Sequence, residues 1–370
     1  MIYLDYSATT NTDSRVLRHF ISASEKYFGN ANSLYKIGKK SKAAINRASK
    51  EILSILGCSE HEIIYTSGAT EANNLVIKGV LESFKGSKNR IITSYFEHSS
   101  IVAPINVLQK NGVVVDLVRH DVDGRIDLSH LKELLGPDVA LVSIGAVNSE
   151  IGIRQPIAEI AALVHEAGSL FHCDATQSIG KEKIDLSVAD YLSFSAHKFY
   201  GIKGIGALIK HHDVPLASQI NGGHSTTIYR SGTPAAPLIL STKKALQLAY
   251  KNNERKYRKV AVLNAYLRRL LNKIPNAIIN SPKDGIPHIL NFSLIGHASR
   301  TVVKELSRLD IYISNHSACS SDTRKSLVVM ALYDDQKRAT SSLRVSISHL
   351  TTKLELRQLF SALKKVNTKL

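Results

Sequence analysis

Four short stretches carry residue types suited to covalent chemistry. Ser195-Ala196-His197-Lys198 ends an apolar run and is followed by Gly201, Gly204 and Gly206. A lysine behind such a strand is partly desolvated, which lowers its pKa, and a Schiff-base lysine requires that. Phe171-His172-Cys173-Asp174-Ala175-Thr176-Gln177 reads as a second strand leading into a turn. Asp174 is a candidate to keep a pyridine nitrogen protonated so that the ring draws electrons, with Gln177 on the same side. Taken alone, Asp174 also suits the N-cap of a following helix. Thr66-Ser67-Gly68-Ala69-Thr70-Glu71-Ala72-Asn73-Asn74 follows a strand and opens an amphipathic helix. Its small residues let backbone N–H groups approach an anion at the positive end of a helix, or simply cap that helix. It is neither a Walker loop nor a GxGxxG fingerprint. Glu97-His98 closes another strand, where an imidazole either stacks on a flat cofactor or serves the structure.

The cysteines divide by setting. Cys173 lies in an apolar strand and reads as core, and Cys58 follows the helix-ending Gly57. Cys319 sits in Ser314-Asn315-His316-Ser317-Ala318-Cys319-Ser320-Ser321-Asp322-Thr323, whose small polar residues predict an exposed loop. A thiol there is the candidate nucleophile. The three cysteines are far apart, so neither a CxxC pair nor a disulfide framework is expected. The histidines show no His-x3-His spacing, and no metal site is expected.

These stretches need strands to end beside one another. Strand-like runs occur at Glu62 to Thr66, Arg90 to Thr93, Val113 to Leu117, Val139 to Val147, Leu170 to Cys173, Tyr191 to Phe194 and Ile205 to Ile209. Their near-continuous apolar character predicts a sheet covered on both faces. Between them, Ile45, Ala48, Ile52 and Ile55 share one helical face, and a helix opened by Pro156 carries Ile157, Ile160, Ala161 and Val164. Alternating strands and helices predict a three-layer α/β domain. From about Ser241 a basic amphipathic stretch reaches Ile274, followed by a strand at Ile289 to Ser293, a helix through Leu306, and strands near Ile311 and Leu343 to Ser346. This shift predicts a second, α+β domain.

With 370 residues, 44% hydrophobic and 21% charged, the chain can bury one large core and a smaller one. No apolar run reaches the roughly 18–20 residues needed to span a bilayer, and Met1 to Asp5 lack signal-peptide character. A cytoplasmic setting and no membrane partner are expected. The net charge of +17 raises a nucleic-acid or acidic partner. Its clusters at Lys243-Lys244, Lys251 to Lys259, Arg268-Arg269 and Lys364-Lys365 lie on helix-like segments and read as solvated faces. Nucleic acid is not an obligatory partner in this reading.

In order and context these stretches resemble the cysteine desulfurases of the class V aminotransferase superfamily, fold-type I enzymes of pyridoxal phosphate. The resemblance starts at Tyr3-Leu4-Asp5-Tyr6-Ser7-Ala8-Thr9-Thr10 and takes in Phe28-Gly29-Asn30 and Val147-Asn148-Ser149-Glu150-Ile151-Gly152. It continues through the Asp174 turn, the Lys198 run, Arg230-Ser231-Gly232-Thr233, the Cys319 loop and Ser342-Leu343-Arg344-Val345-Ser346. The Ser-Ala-Cys-Ser loop is most similar to the iron–sulfur-cluster and nitrogenase-associated group. The resemblance implies a three-layer αβα large domain with a mostly parallel sheet over residues 13–245, and a small α+β domain formed by 1–12 and 246–370.

It also implies roles. Lys198 would hold the cofactor and move the substrate's α-proton, Asp174 would pair with the pyridine nitrogen, Gln177 would meet the phenolic oxygen, and His98 would stack on the ring. Thr70, Ser195, His197 and the Ala69 backbone would bind the phosphate, with Thr233 reaching it from the other subunit of a homodimer. Arg344 and Asn148 would grip the carboxylate of L-cysteine. Cys319 would take the sulfur as a persulfide, releasing alanine, and pass it to an acceptor protein for iron–sulfur assembly or tRNA thiolation. Other reactions on the same scaffold are selenocysteine lysis, C–S β-elimination and transamination, and a non-catalytic basic scaffold is the non-enzyme alternative. The chain departs from the family pattern at Ala31, Tyr35 and residues 222–230, expected at the cofactor's rim, and from Asp322 to Lys325, which bears on the acceptor.

Overall fold

The computed structural model describes residues 1–223, 225–315 and 325–369. The chain opens with β1 (Ile2–Tyr3), α1 (Ser14–Lys26) and α2 (Lys36–Leu56). Strands and helices then alternate through β2 (His61–Thr66), α3 (Ala69–Phe84), β3 (Arg90–Thr93), α4 (Ser99–Lys110), β4 (Val114–Leu117), α5 (Leu128–Leu134), β5 (Val139–Gly145), α6 (Ile157–Glu166) and β6 (Leu170–Asp174). Next come β7 (Tyr191–Ser195), β8 (Gly206–His211), α7 (Ala236–Tyr250), α8 (Asn253–Leu271), β9 (Ala277–Ile279) and β10 (Ile289–Leu294). The last elements are α9 (Ser299–Ser307), β11 (Ile311–Tyr312), α10 (Leu327–Tyr333), α11 (Gln336–Thr340), β12 (Ser342–Ser346) and α12 (Lys353–Lys369).

Among the described residues, seven strands form one sheet in the order β2-β8-β7-β6-β5-β3-β4. Neighbours from β7 to β4 are parallel, while β8 runs antiparallel to both β7 and β2. The sheet is therefore mostly parallel, as expected. The reversed strand is hidden in the sequence because β8 is as apolar and covered as its neighbours. Successive residues Leu141 and Val142 of β5 enter opposite cores: Leu141 joins the cluster of Leu75, Ile91 and Ile101, and Val142 that of Ile52, Ile160 and Phe171. Helices on both faces complete three layers. Gly57 ends α2 with φ of +74°, the left-handed turn that glycine adopts without strain, and Pro156 sits at the N-cap of α6.

A second cluster unites Leu4 with Val260, Leu263, Phe292, Leu343, Leu359 and Leu363 around the antiparallel sheet β12-β10-β9. The N-terminal segment enters it through parallel pairing of β1 with β11. The basic stretch expected from Ser241 to Ile274 is instead two helices, interrupted at Asn252 with φ of +57°. Lys256 folds back to donate to the Ala249 carbonyl at 3.0 Å, capping the carboxyl end of α7. Arg268 likewise donates to the Pro282 carbonyl at 2.7 Å. Part of the basic run thus serves the fold rather than a solvated face. No described helix is long and apolar enough to cross a membrane.

Candidate active site

A cleft opens at the carboxyl ends of β5, β6 and β7, where parallel sheets commonly place ligands. Ser7, Ala69, Thr70, His98, Asn148, Asp174, Gln177, Ser195, His197, Lys198 and Arg344 all line it. Ten residues expected from the sequence therefore converge, drawn from positions 69 to 344.

Lys198 is aimed by the turn that follows β7. The strand ends at Ser195, and Ala196–Lys198 form one 3₁₀ turn, closed by Gly201 N donating to Ala196 O at 2.9 Å. The Lys198 ammonium donates to the Ser7 and Ala8 carbonyls at 2.6 and 3.0 Å. Thr10 secures this approach, its N and Oγ1 both donating to His197 O at 3.0 and 2.8 Å. The His197 ring meets Thr9 Oγ1 at 3.0 Å. Burial, helped by the charges of Lys198, Lys203 and Lys181, lowers its pKa to about 4, so the ring is neutral at pH 7.

Asp174 ends β6 and makes two kinds of bond. Its Oδ1 accepts Thr176 N at 2.9 Å, shaping a turn rather than capping an α-helix. Its Oδ2 accepts Asn73 Nδ2 at 3.0 Å. Asn73 also donates to Ser100 Oγ at 2.8 Å and accepts from Ser193 Oγ, whose oxygen lies 3.0 Å from His172 Nε2. His98 is the N-cap of α4, its Nδ1 accepting from Ser100 N at 3.1 Å. In a neutral ring the proton is then on Nε2. His98 thus fills its structural role and lines the cleft as well. Glu97 stands partly buried beside it, its oxygens accepting from Ser94 Oγ at 2.6 Å and Gly145 N at 2.9 Å. Burial, assisted by the charge of Asp174, raises its pKa to about 8 against those two hydrogen bonds.

The opposite wall is the amino end of α3. Ala69 N donates to Ser195 Oγ at 2.7 Å, while the N–H groups of Thr70 and Glu71 meet no acceptor among the described residues. Helix dipole and free donors together make an anion cradle. Gly206 permits this packing, since a Cβ there would come within 2.7 Å of Gly68 Cα. Glu71 is tied to Arg230 Nε at 2.9 Å. Thr233 lies near Arg230 in a separate pocket, and within one chain it does not border the cleft.

Arg344 reaches across from β12. It is 2% exposed, donates to Ser149 O at 2.9 Å and Asp5 Oδ1 at 2.7 Å, and has a buried Nε with no partner. Asn148 places its Oδ1 under the N–H groups of Glu150 and Ile151 at 2.9 and 2.8 Å, and donates to Phe96 O at 2.8 Å. One amide hydrogen remains. Thr176 Oγ1 is a second buried, unpartnered atom on the cleft wall. Nearby, burial raises the pKa of Glu150 to about 7, while hydrogen bonding from Ser326 and the charge of Arg344 oppose the rise.

Cys319 lies outside the described residues, as do His224 and the departures from Asp322 to Arg324. Burial pushes the Cys58 thiol up to about 12 and raises that of Cys173 as well, which suits the reading of Cys173 as inert core. Ala31 packs in the main core and Tyr35 precedes α2, so neither borders the cleft of its own chain, contrary to expectation. Sequence reasoning passed over Glu97, although it adjoins His98. It also passed over Asn73, four residues beyond Ala69 on the same buried helix face, and over the carbonyls of Ser7 and Ala8.

Residues 2–359 match the family model described as aminotransferase class-V. The chain is 39% identical to a mitosomal cysteine desulfurase of Encephalitozoon cuniculi, over 96% of this chain and 84% of that one. It is 35% identical to a cysteine desulfurase IscS of Clostridium botulinum, over 99% and 94%. In structure it is similar to a NifS-like protein, with a TM-score of 0.93, 31% identity and full coverage of both chains. One relative is mitosomal and another bacterial, so the expected cytoplasmic setting is not common to them.

Proposed function

The chain belongs to the aminotransferase class-V family, in its cysteine desulfurase branch, and we propose that its cleft uses pyridoxal phosphate to move sulfur from L-cysteine to Cys319. The donor set of the cleft carries this reading. An amine rests on carbonyls at Lys198, a carboxylate is steadied by Asn73 at Asp174, and free N–H groups stand at Thr70 and Glu71. The orphaned Thr176 Oγ1 and Arg344 Nε await acceptors. These groups fit an aldehyde, a pyridine nitrogen, a phosphate and a substrate carboxylate. Lys198 would hold the aldehyde, Asp174 the pyridine nitrogen and Gln177 the phenolic oxygen, with His98 against the ring. Ala69, Thr70, Ser195 and His197 would hold the phosphate, joined by Thr233 from the second subunit of a homodimer.

When bound, the cofactor supplies an electron sink that lets a proton leave the substrate's Cα. Lys198 carries that proton, and the planar fork of Arg344, with Asn148, orients the carboxylate. The Cys319 thiolate attacks the substrate sulfur. An S–S bond forms while the Cβ–S bond breaks, its electron pair staying with Cβ, which gains a proton and departs in alanine. No outside oxidant or reductant is consumed. The persulfide then passes to an acceptor protein docking at the Cys319 loop, for iron–sulfur cluster assembly or tRNA thiolation.

Borohydride treatment of the yellow protein should fix the cofactor's mass on the Lys198 peptide. L-Cysteine added without reductant should leave one extra sulfur on the Cys319 peptide. Alanine formation that survives in Cys319→Ala overturns the persulfide assignment, and a protein that takes up no pyridoxal phosphate overturns the whole reading.

A further inference from the structure

A smaller cavity lies behind the cleft, shares Lys198 with it, and is lined also by Lys181, Lys256, His288 and His349. Lys181 is 9% exposed and does not reach the cleft wall. Its ammonium donates to Gln177 Oε1. The other end of that amide, Nε2, donates to Ser7 O at 3.1 Å, the same oxygen that accepts Lys198 Nζ at 2.6 Å. A carbonyl only accepts and an ammonium only donates, so one orientation of the amide satisfies both neighbours. The amide oxygen faces back to Lys181, and the NH2 faces the Ser7 side with one hydrogen left for the cleft that Gln177 lines.

We infer that Lys181 is a positioning residue that fixes the Gln177 side chain so that its N–H, and not its carbonyl, meets the phenolic oxygen of the bound cofactor. The inference rests on the pyridoxal phosphate reading above and deepens it. Charged and titratable groups surround Lys181: Lys198 and His197 beyond β7, Arg344 on β12, Glu182 next in the chain, and His288 before β10. Burial, then the charges of Lys198 and Arg344, lower its pKa to about 7 against Glu182. Ammonium and neutral amine both carry N–H groups, so the tie to Gln177 persists across that titration.

A phenolic oxygen that loses an N–H donor becomes more basic. The pH midpoint at which the loaded protein loses its long-wavelength absorption should therefore rise by about one unit in Lys181→Met. Gln177→Ala should shift it similarly, and the double variant no further than Gln177→Ala alone. Lys181→Gln keeps a donor without the charge, and its midpoint should stay near that of the unaltered protein; Lys181→Arg should do the same. Should Lys181→Met fail to fold, Lys181→Ala carries the same expectation. A midpoint unmoved in Lys181→Met overturns the inference, as does a shift in Lys181→Gln as large as in Lys181→Met, because that is a direct charge effect. Failure of the unaltered protein to take up the cofactor overturns the functional reading instead, whereas loaded variants with unmoved midpoints overturn only the role of Lys181.

Discussion

The two ends of the seven-stranded sheet treat buried charge in opposite ways. At the amino end of β7, Lys210 on β8 lies beside Tyr191. Its side chain is fully buried, paired with Glu62 at 3.1 Å, bonded to the carbonyls of His211 and His212 at 2.9 and 3.1 Å, and 4.9 Å from the Tyr229 ring centre. At the carboxyl end, Lys198 rests on the Ser7 and Ala8 carbonyls. On that side lie groups whose pKa values burial brings close to neutrality: Glu97 on the cleft wall at about 8, Lys181 behind it at about 7, and Glu150 near Arg344 at about 7. One end satisfies its charges by pairing and becomes scaffold. The other keeps its groups near the point where a proton can move, as acid–base chemistry at pH 7 requires. A buried lysine is therefore informative only together with what it touches.

Exchanging the two lysines' roles by mutation gives the largest contrast. Lys198→Ala should lower alanine formation by at least about 10³-fold and abolish borohydride fixation, with the melting temperature little changed. Lys210→Ala should reverse the pattern. Removing one partner of a buried pair costs about 3 kcal/mol, toward the lower end because Glu62 keeps some access to water. Denaturant unfolding should show that loss, while cofactor absorption and the reaction with cysteine persist at temperatures where the variant is folded. Comparable stability losses in both variants would erase the distinction between the two ends.

Much of this architecture is legible in the sequence because it depends on local pattern. Apolar runs such as Arg90 to Thr93 and Tyr191 to Phe194 mark strands, and polar residues after them point to strand ends, where Asp174 and the turn carrying Lys198 fall. His98, expected to close a strand, instead caps α4 five residues beyond β3. The missing parts depend on distance along the chain. The Ser7 carbonyl that accepts Lys198 is 191 positions away, and a carbonyl has no signature in a residue code. Lys181 reads as an ordinary turn lysine until its burial and its bond to Gln177 are known. The basic run around Lys256 and Arg268 looks solvated because periodicity does not tell which long side chains fold back onto carbonyls. The role of Thr233 needs a second subunit.

Glu97 offers the sharpest test of how the cleft end holds its charge. Its pKa stands at about 8 against an ordinary 4.5, so the folded protein binds a proton that the unfolded chain releases between those values. Stability from this group is complete below pH 4.5 and declines as pH rises toward 8, where the carboxylate must ionise in a partly buried site. Glu97→Gln keeps the geometry, because an amide can accept from Gly145 N and donate to Ser94 Oγ, and it cannot ionise. The variant should match the unaltered protein near pH 4.5 and gain on it progressively, reaching about 4 kcal/mol near pH 8. Unfolding measured across that range reads the difference directly. A constant offset at every pH would mean that Glu97 is already ionised in the fold, and the cleft end would then stabilise its carboxylate by pairing, as the Lys210 end does.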